Sequence, residues 1–253
     1  MSFLNAGFGV GRRRTDYGDS SVHNFLMEEP MKLSCLSLLA AFVLAAGTSL
    51  PAGEPHPQQQ LKPGTERWSI KTSATSKKHR IVSWDDFVAL KDPPGVKKND
   101  ARYQDARIPE FPNSLNLREG EIVSLTCWLH LVARESDGDY HIQVSNDSVD
   151  GNNCVVVEVP DPDPAFVSSD SLRPLFSTVR EWIRTKLLHD ASKEPSLYGN
   201  VMTHAPHVVV KGQLFYDDSH VGDPPRGKRN MKATTLWEIH PVTEITFAPR
   251  SHH

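Results

Sequence analysis

Apolar and polar residues alternate strictly along one stretch in the second half of the chain. From Glu121 to about Ala133 every second residue is apolar, in the series Val123, Leu125, Cys127, Leu129 and Leu131. This is the period of a half-buried β-strand. Four further segments have strand-like patterns, at residues 140–144, 154–159, 207–216 and 236–247. Between the third and fourth strands, from Ser169 or Asp170 to Leu187, apolar residues recur at i, i+3, i+4 and i+7, which predicts an amphipathic helix.

The order of these elements predicts the fold. Five strands with one helix between the third and the fourth are the wiring of an OB-fold barrel. Gly212 permits the tight bend that a small barrel needs, and Pro241 implies an edge or a bulge because proline cannot donate to the ladder. We therefore expect a mainly β protein, with a five-stranded OB-fold-like barrel over residues 115–250.

The residues before the barrel predict an export signal. Met31-Lys32 and the apolar run from Leu33 to Ala46 have the pattern of a signal peptide over residues 31–52. The run is shorter than the roughly 20 residues that span a bilayer, so no stable membrane span is expected after cleavage. A buried helix is the alternative. Residues 1–30 are interpreted as a misassigned upstream extension, with translation starting at Met31 or Met27. The protein is expected to be periplasmic or extracellular.

Residues 53–114 are predicted to connect the signal to the barrel. The stretch to about Lys78 is rich in Pro, Gln, Lys and Ser with no apolar period, which is typical of a mobile linker. Ser83 is placed to cap a short helix at about 83–90. An extended lead-in follows, and its apolar residues are expected to pack on the outside of the barrel.

The two cysteines that remain after signal removal, Cys127 and Cys154, could form a disulfide in an oxidising compartment. Cys127 falls on the inward phase of its strand and Cys154 on the outward phase, which favours two separate thiols with one of them buried. The net charge of −3 gives no global attraction to a polyanion. Anion binding would require a local patch.

Such a patch is predicted in the loop between the fourth and fifth strands. OB-folds bind oligonucleotides or oligosaccharides with this loop and the face of strands two and three. The candidate ligand-binding residues are Arg226, Lys228, Arg229 and Lys232, with His141 and Gln143 on the exposed face. The leading hypothesis is a monomeric, non-catalytic binding module without a cofactor, whose partner is nucleic acid, an oligosaccharide or another anionic polymer.

Two alternatives remain. Imidazole and carboxylate groups suit a divalent metal ion, and a metal-dependent hydrolase could use His220, Glu238 and His240 with Asp217 or Asp218. The other alternative is a structural module that supports an envelope protein. The Asp137-Gly138-Asp139 sequence is interpreted as a turn.

Three strings of the barrel region support a family resemblance. They are Asp137-Gly-Asp-Tyr-His141, Gly212-Gln-Leu-Phe-Tyr-Asp-Asp-Ser-His220 and Trp237-Glu-Ile-His-Pro-Val242. They resemble those of an uncharacterised family of secreted bacterial OB-fold-like proteins. The resemblance covers roughly residues 115–247 and implies the fold alone.

Overall fold

The computed structural model describes residues 64–250. The predicted upstream extension, the signal peptide and the first part of the linker lie outside these residues. Within residues 64–250, no helix has the length and hydrophobicity needed to cross a membrane.

The described residues form seven strands and three α-helices. The strands are β1 (His79–Val82), β2 (Ile122–Arg134), β3 (Tyr140–Ser145), β4 (Val155–Val159), β5 (Asn200–Val201), β6 (His207–Tyr216) and β7 (Trp237–Phe247). The helices are α1 (Trp68–Lys71), α2 (Trp84–Val88) and α3 (Arg173–Trp182), the last continued by a π-helical turn at Ile183–Leu187. Short 3₁₀ turns lie at Ala101–Tyr103 and Asp218–His220.

Five of the strands close into a barrel. β2 pairs with β3 and with β6, β3 pairs with β4, and β6 pairs with β7, all antiparallel. A parallel bridge between Val157 of β4 and Ile239 of β7 completes the ring. This closed order confirms the predicted OB-fold-like barrel with one helix between its third and fourth strands. β1 and the short β5 add to β2 outside the ring.

Bulges set which side chains enter the core. The register of β2 against β3 shifts between Leu129 and Leu131, so Val132 joins the main apolar cluster in place of Leu131. Leu131 was predicted to point inward, and it is instead buried beside Gly199 outside that cluster. The two-residue period holds only as far as the bulge.

The predicted bulge at Pro241 is present. Gly212 pairs with Val242 and Leu214 with Ile239, so His240 and Pro241 stand opposite the single residue Gln213. A Cβ atom on Gly212 would lie 2.3 Å from the carbonyl oxygen of Pro241. Glycine is therefore required here by the close approach of the two strands.

The segment before the barrel differs from the predicted mobile linker. Residues 64–78 include α1, and the side chains of Arg67 and Lys71 are buried. The guanidinium of Arg67 forms an ion pair with Glu119, in which both side chains are fully buried. Composition predicted a mobile linker because an average over the whole segment does not reveal that single side chains, here Arg67 and Lys71, are buried. The predicted short helix is confirmed as α2, and Ser83 Oγ accepts a hydrogen bond from the amide of Asp86 at 3.1 Å.

Both described cysteines are free and buried. Cys127 lies in the barrel core, as expected. Cys154 packs outside the barrel with Val156 and Ala233, under the loop between β6 and β7. The expectation that only one thiol is buried is therefore wrong, because this loop covers the outward face of β4.

Candidate ligand-binding cleft

A cleft of about 1190 Å³ lies over the outward face of β3, β4 and β7. The turn between β2 and β3, the loop between β6 and β7, and α1 form its walls. Within residues 64–250, its lining contains seven Asp or Glu residues, four Lys or Arg residues and three histidines. The acidic residues are Glu66, Glu135, Asp137, Glu158, Asp217, Asp218 and Glu238, and the basic ones are Lys71, Lys98, Arg226 and Lys228. Carboxylates therefore outnumber fixed cations in this cleft.

Glu158 lies at the centre of the polar network. It is the single charged residue of the apolar strand β4, and its neighbour across the strand pair is His141. Glu158 Oε1 is 2.9 Å from His141 Nδ1, and Oε2 is 3.2 Å from His240 Nδ1. Burial alone would raise the pKa of Glu158, but the two imidazoles and Lys71 lower it to about 2.

His240 is enclosed by carboxylates. Besides Glu158, Asp139 Oδ2 lies 3.4 Å from its Nε2 and Glu238 Oε2 lies 3.5 Å from its Nδ1. Burial would lower the pKa of His240, but these carboxylates outweigh it and raise the pKa to about 9. The ring is therefore protonated at neutral pH.

α1 contributes a lysine to the same cleft. Lys71 Nζ lies 3.5 Å from Asp137 Oδ2, and it is only 6% exposed. Burial and the neighbouring charge of Asp139 raise the pKa of Asp137 to about 6. Burial opposes the charge on Lys71, but the surrounding carboxylates raise its pKa.

The predicted cationic patch does not form as one surface. Arg226 forms ion pairs with Asp217 and Glu238 and is largely buried. Lys228 Nζ lies 3.0 Å from Glu135 Oε1. Arg229 and Lys232 are exposed.

His141 and Gln143 were predicted to lie on an exposed face. In the structure they are buried, with 5% and 0% exposure. Gln143 fixes the β6–β7 loop: its Oε1 accepts from the amide of Lys228 at 2.6 Å, and its Nε2 donates to the carbonyl of Met231 at 3.3 Å. The outward face of β3 is buried because this loop folds back over it. His141 retains access to the cleft, which it lines.

The predicted metal ligands all line the cleft but separate into different contacts. His220 Nδ1 lies 2.5 Å from Asp217 Oδ2, and this hydrogen bond raises the pKa of His220. Arg226 lies between Asp217 and Glu238 and neutralises both. Asp218 Oδ2 instead accepts from the amide of Asp100 at 2.8 Å. The five residues therefore do not form one metal site.

Asp139, Glu158 and His240 form a tighter group, in which one potential ligand atom from each lies within 4.8 Å of the others. Sequence reasoning interpreted Asp139 as part of a turn and did not select Glu158. One signal was present, since Glu158 interrupts the apolar run Val155–Val159.

The fold and the cleft define this protein as an OB-fold-like barrel with an acidic cleft on the face that such barrels use for ligands. The three strings described above all contribute polar residues to that cleft. Comparison with family models, curated proteins and solved structures finds no match to the chain.

Proposed function

We propose that this protein is a non-catalytic binding module that takes an oligosaccharide into the cleft over β3, β4 and β7. The observation that supports this proposal is the pairing of every Lys and Arg in the cleft lining with a carboxylate. Arg226 pairs with Asp217 and Glu238, and Lys228 with Glu135. Lys71 and Lys98 pair with aspartates.

This charge arrangement favours a glycan over a polyanion. A phosphate backbone is held by cations that neutralise it and release its counterions, whereas the cleft cations already have partners. Seven carboxylates against four cations would repel a polyanion. Sugar hydroxyls can donate to carboxylates without adding charge.

The aromatic lining also argues against nucleic acid. Single-stranded binding relies on aromatic rings that stack with successive bases. Among the described residues, Phe215 is the one Phe, Tyr or Trp in the lining. It is 3% exposed, and Arg67 lies over its ring at 4.8 Å. Neither face of the Phe215 ring is therefore accessible for stacking with a base.

Titration calorimetry with defined probes tests the proposal. We expect a neutral hexasaccharide, such as a cello- or chito-oligosaccharide, to bind with an affinity that changes little between 50 and 200 mM salt. A 12-nucleotide single strand should not bind. Glu135→Gln, at the cleft rim, should weaken sugar binding, and the matched surface variant Arg229→Ala/Lys232→Ala should not.

The opposite pattern would count against the proposal. If the oligonucleotide bound with a steep salt dependence, and if binding were lost in Arg229→Ala/Lys232→Ala, the ligand would be a polyanion held outside the cleft. Absence of binding by every sugar tested at millimolar concentration would also refute it.

We also propose that the module is exported, supported by the positive start and apolar run of residues 31–46. Expression of the full chain in a bacterial host, followed by N-terminal sequencing of the periplasmic and medium fractions, tests this. We expect an exported form that begins shortly after residue 46. Cytoplasmic protein that retains residues 31–46 would contradict it.

A further inference from the structure

At the cleft, where Glu158 and His240 line it, one imidazole and two carboxylates form a mixed group with the adjoining Asp139. Asp139 lies directly before β3, Glu158 is in β4 and His240 is in β7. One potential ligand atom from each lies within 4.8 Å of the others. Three separate elements of the barrel therefore bring these side chains together.

These groups are buried, and one of them has an unmet polar atom. The side chains of Asp139, Glu158 and His240 are 7%, 14% and 1% exposed. His240 Nε2 is fully buried and has no hydrogen bond within normal geometry, although Asp139 Oδ2 lies 3.4 Å away. Buried polar groups are normally hydrogen-bonded, paired or bound to a metal. This nitrogen faces Asp139, whereas Nδ1 faces Glu158, so the imidazole lies between the two carboxylates and has one nitrogen free to accept a ligand.

We propose that Asp139, Glu158 and His240 bind one divalent transition-metal ion, of the Zn²⁺ or Mn²⁺ class. Imidazole nitrogen and carboxylate oxygen are the ligands that such ions take. Bond lengths of about 2.0–2.2 Å place ligand atoms roughly 3–4 Å apart. The observed spread of up to 4.8 Å is wider than this range, so metal binding requires the three side chains to move closer together.

The charges of the site also fit a divalent ion. Asp139 and Glu158 supply two carboxylates to the group, and a divalent ion balances their two formal negative charges.

Neighbouring residues orient the proposed ligands. Metal-bound histidines and carboxylates usually have partners of their own that fix their direction. Glu238 Oε2 lies 3.5 Å from His240 Nδ1, the nitrogen opposite the unmet one. His141 Nδ1 holds Glu158 Oε1 at 2.9 Å. His141 and Glu238 are therefore positioning residues for this site.

Metal content and melting of the full chain test the site. The protein is stripped with chelator, dialysed against Zn²⁺, Mn²⁺ or Ca²⁺, and analysed by elemental mass spectrometry. We expect about one Zn²⁺ or Mn²⁺ per chain and a melting temperature that rises with metal concentration. Co²⁺ should give a visible absorption band when it binds.

Variants separate this site from other clusters of the cleft. Asp139→Asn and Glu158→Gln should each weaken metal binding at least 10-fold, and circular dichroism of the stripped proteins should match the parent. His220→Ala and Asp218→Asn, which belong to the set predicted from sequence, should leave the stoichiometry and affinity unchanged. Loss of binding in His220→Ala with retention in Asp139→Asn would overturn the assignment. So would a parent protein that takes up no transition metal and melts at the same temperature in its presence.

The inference goes beyond the proposed sugar binding and fails separately from it. Sugar titrations of the chelator-stripped protein are run beside the metal measurements. Sugar binding without metal uptake refutes only the metal site, and metal uptake without sugar binding refutes only the proposed ligand.

Discussion

The ion pair between Arg67 and Glu119 gives the sharpest prediction about stability. The guanidinium donates both of its forked hydrogen bonds to Glu119, each at 2.8 Å. Its three remaining N–H groups donate to the carbonyl oxygens of Tyr103, Ala106 and Tyr216 at 3.0, 3.2 and 2.7 Å. All five donors of the side chain therefore have partners, and both side chains of the pair are at 0% exposure.

Arg67→Ala would leave the Glu119 carboxylate charged and buried without its ion-pair partner, and it would remove the donor from three backbone carbonyls, of which that of Tyr216 makes a buried hydrogen bond. Loss of one member of a buried pair typically costs about 3 to 5 kcal/mol. For a domain of this size, each kcal/mol lowers the melting temperature by about 2 to 4 °C. We therefore expect a decrease of roughly 6 to 20 °C.

Urea unfolding and scanning calorimetry measure this change. Arg80→Ala is the matched control, because Arg80 is exposed on β1, and its removal should change stability by less than about 0.5 kcal/mol. Arg67→Met/Glu119→Gln should cost less than the sum of its single variants, since it removes both charges. A cost below about 1 kcal/mol for Arg67→Ala, the value typical of an exposed pair, would falsify the buried docking of α1.

Three further predictions concern the barrel and its loops. Gly212→Ala should cost about 1 to 3 kcal/mol in urea unfolding, because the added Cβ would meet the Pro241 carbonyl oxygen at 2.3 Å. Burial raises the pKa of Asp218 to about 6 in the folded state. Between about pH 4 and 6 the unfolded state therefore binds fewer protons than the folded state. As the pH rises through this range, the ionised Asp218 increasingly destabilises the folded state. Asp218→Asn should therefore stabilise the protein by about 1 to 2 kcal/mol at pH 8, after allowance for solvent screening, and by little at pH 4; an equal effect at both values would contradict this. Burial raises the pKa of Cys127 and raises that of Cys154 to about 11. Neither thiol should therefore react with a disulfide reagent until urea unfolds the protein. Rapid labelling of the native protein would contradict this, because it would show that one thiol is accessible.

Periodicity predicted the barrel because inward positions repeat on every strand. Val123, Leu125 and Cys127 are buried as their alternation predicts, and Pro241 correctly indicated a bulge. The same rule failed past the bulge in β2, where the phase changes without a sequence signal. Local pattern defines a strand's faces but not where its register shifts.

The cleft was harder to predict because its residues occupy outward phases. His141 and Gln143 are expected to meet solvent from strand period alone, and only the return of a loop some 85 residues later in the chain buries them. Arg226 shows the same limit. The run of cations around it predicts an anion site, but in the folded protein Asp217 and Glu238 neutralise the Arg226 guanidinium. Which carboxylates pair with these cations depends on the folded structure and cannot be read from the run of cations in the sequence.

Two sets of buried charges in residues 64–250, the Arg67–Glu119 pair and the charged residues of the cleft, differ in how completely their polar atoms are satisfied. Arg67 and its partner use every guanidinium donor, which is what a pair that fastens one segment to another requires. In the cleft, His240 Nε2 and Asp218 Oδ1 are buried without hydrogen-bond partners. Buried charges of this kind usually destabilise a fold relative to apolar residues of the same volume, and the barrel core is continuous without them. A functional site is expected where a polar cluster is left unsatisfied and packing does not need it. For this reason ligand binding is proposed for the cleft and not for the exposed cations of its loop.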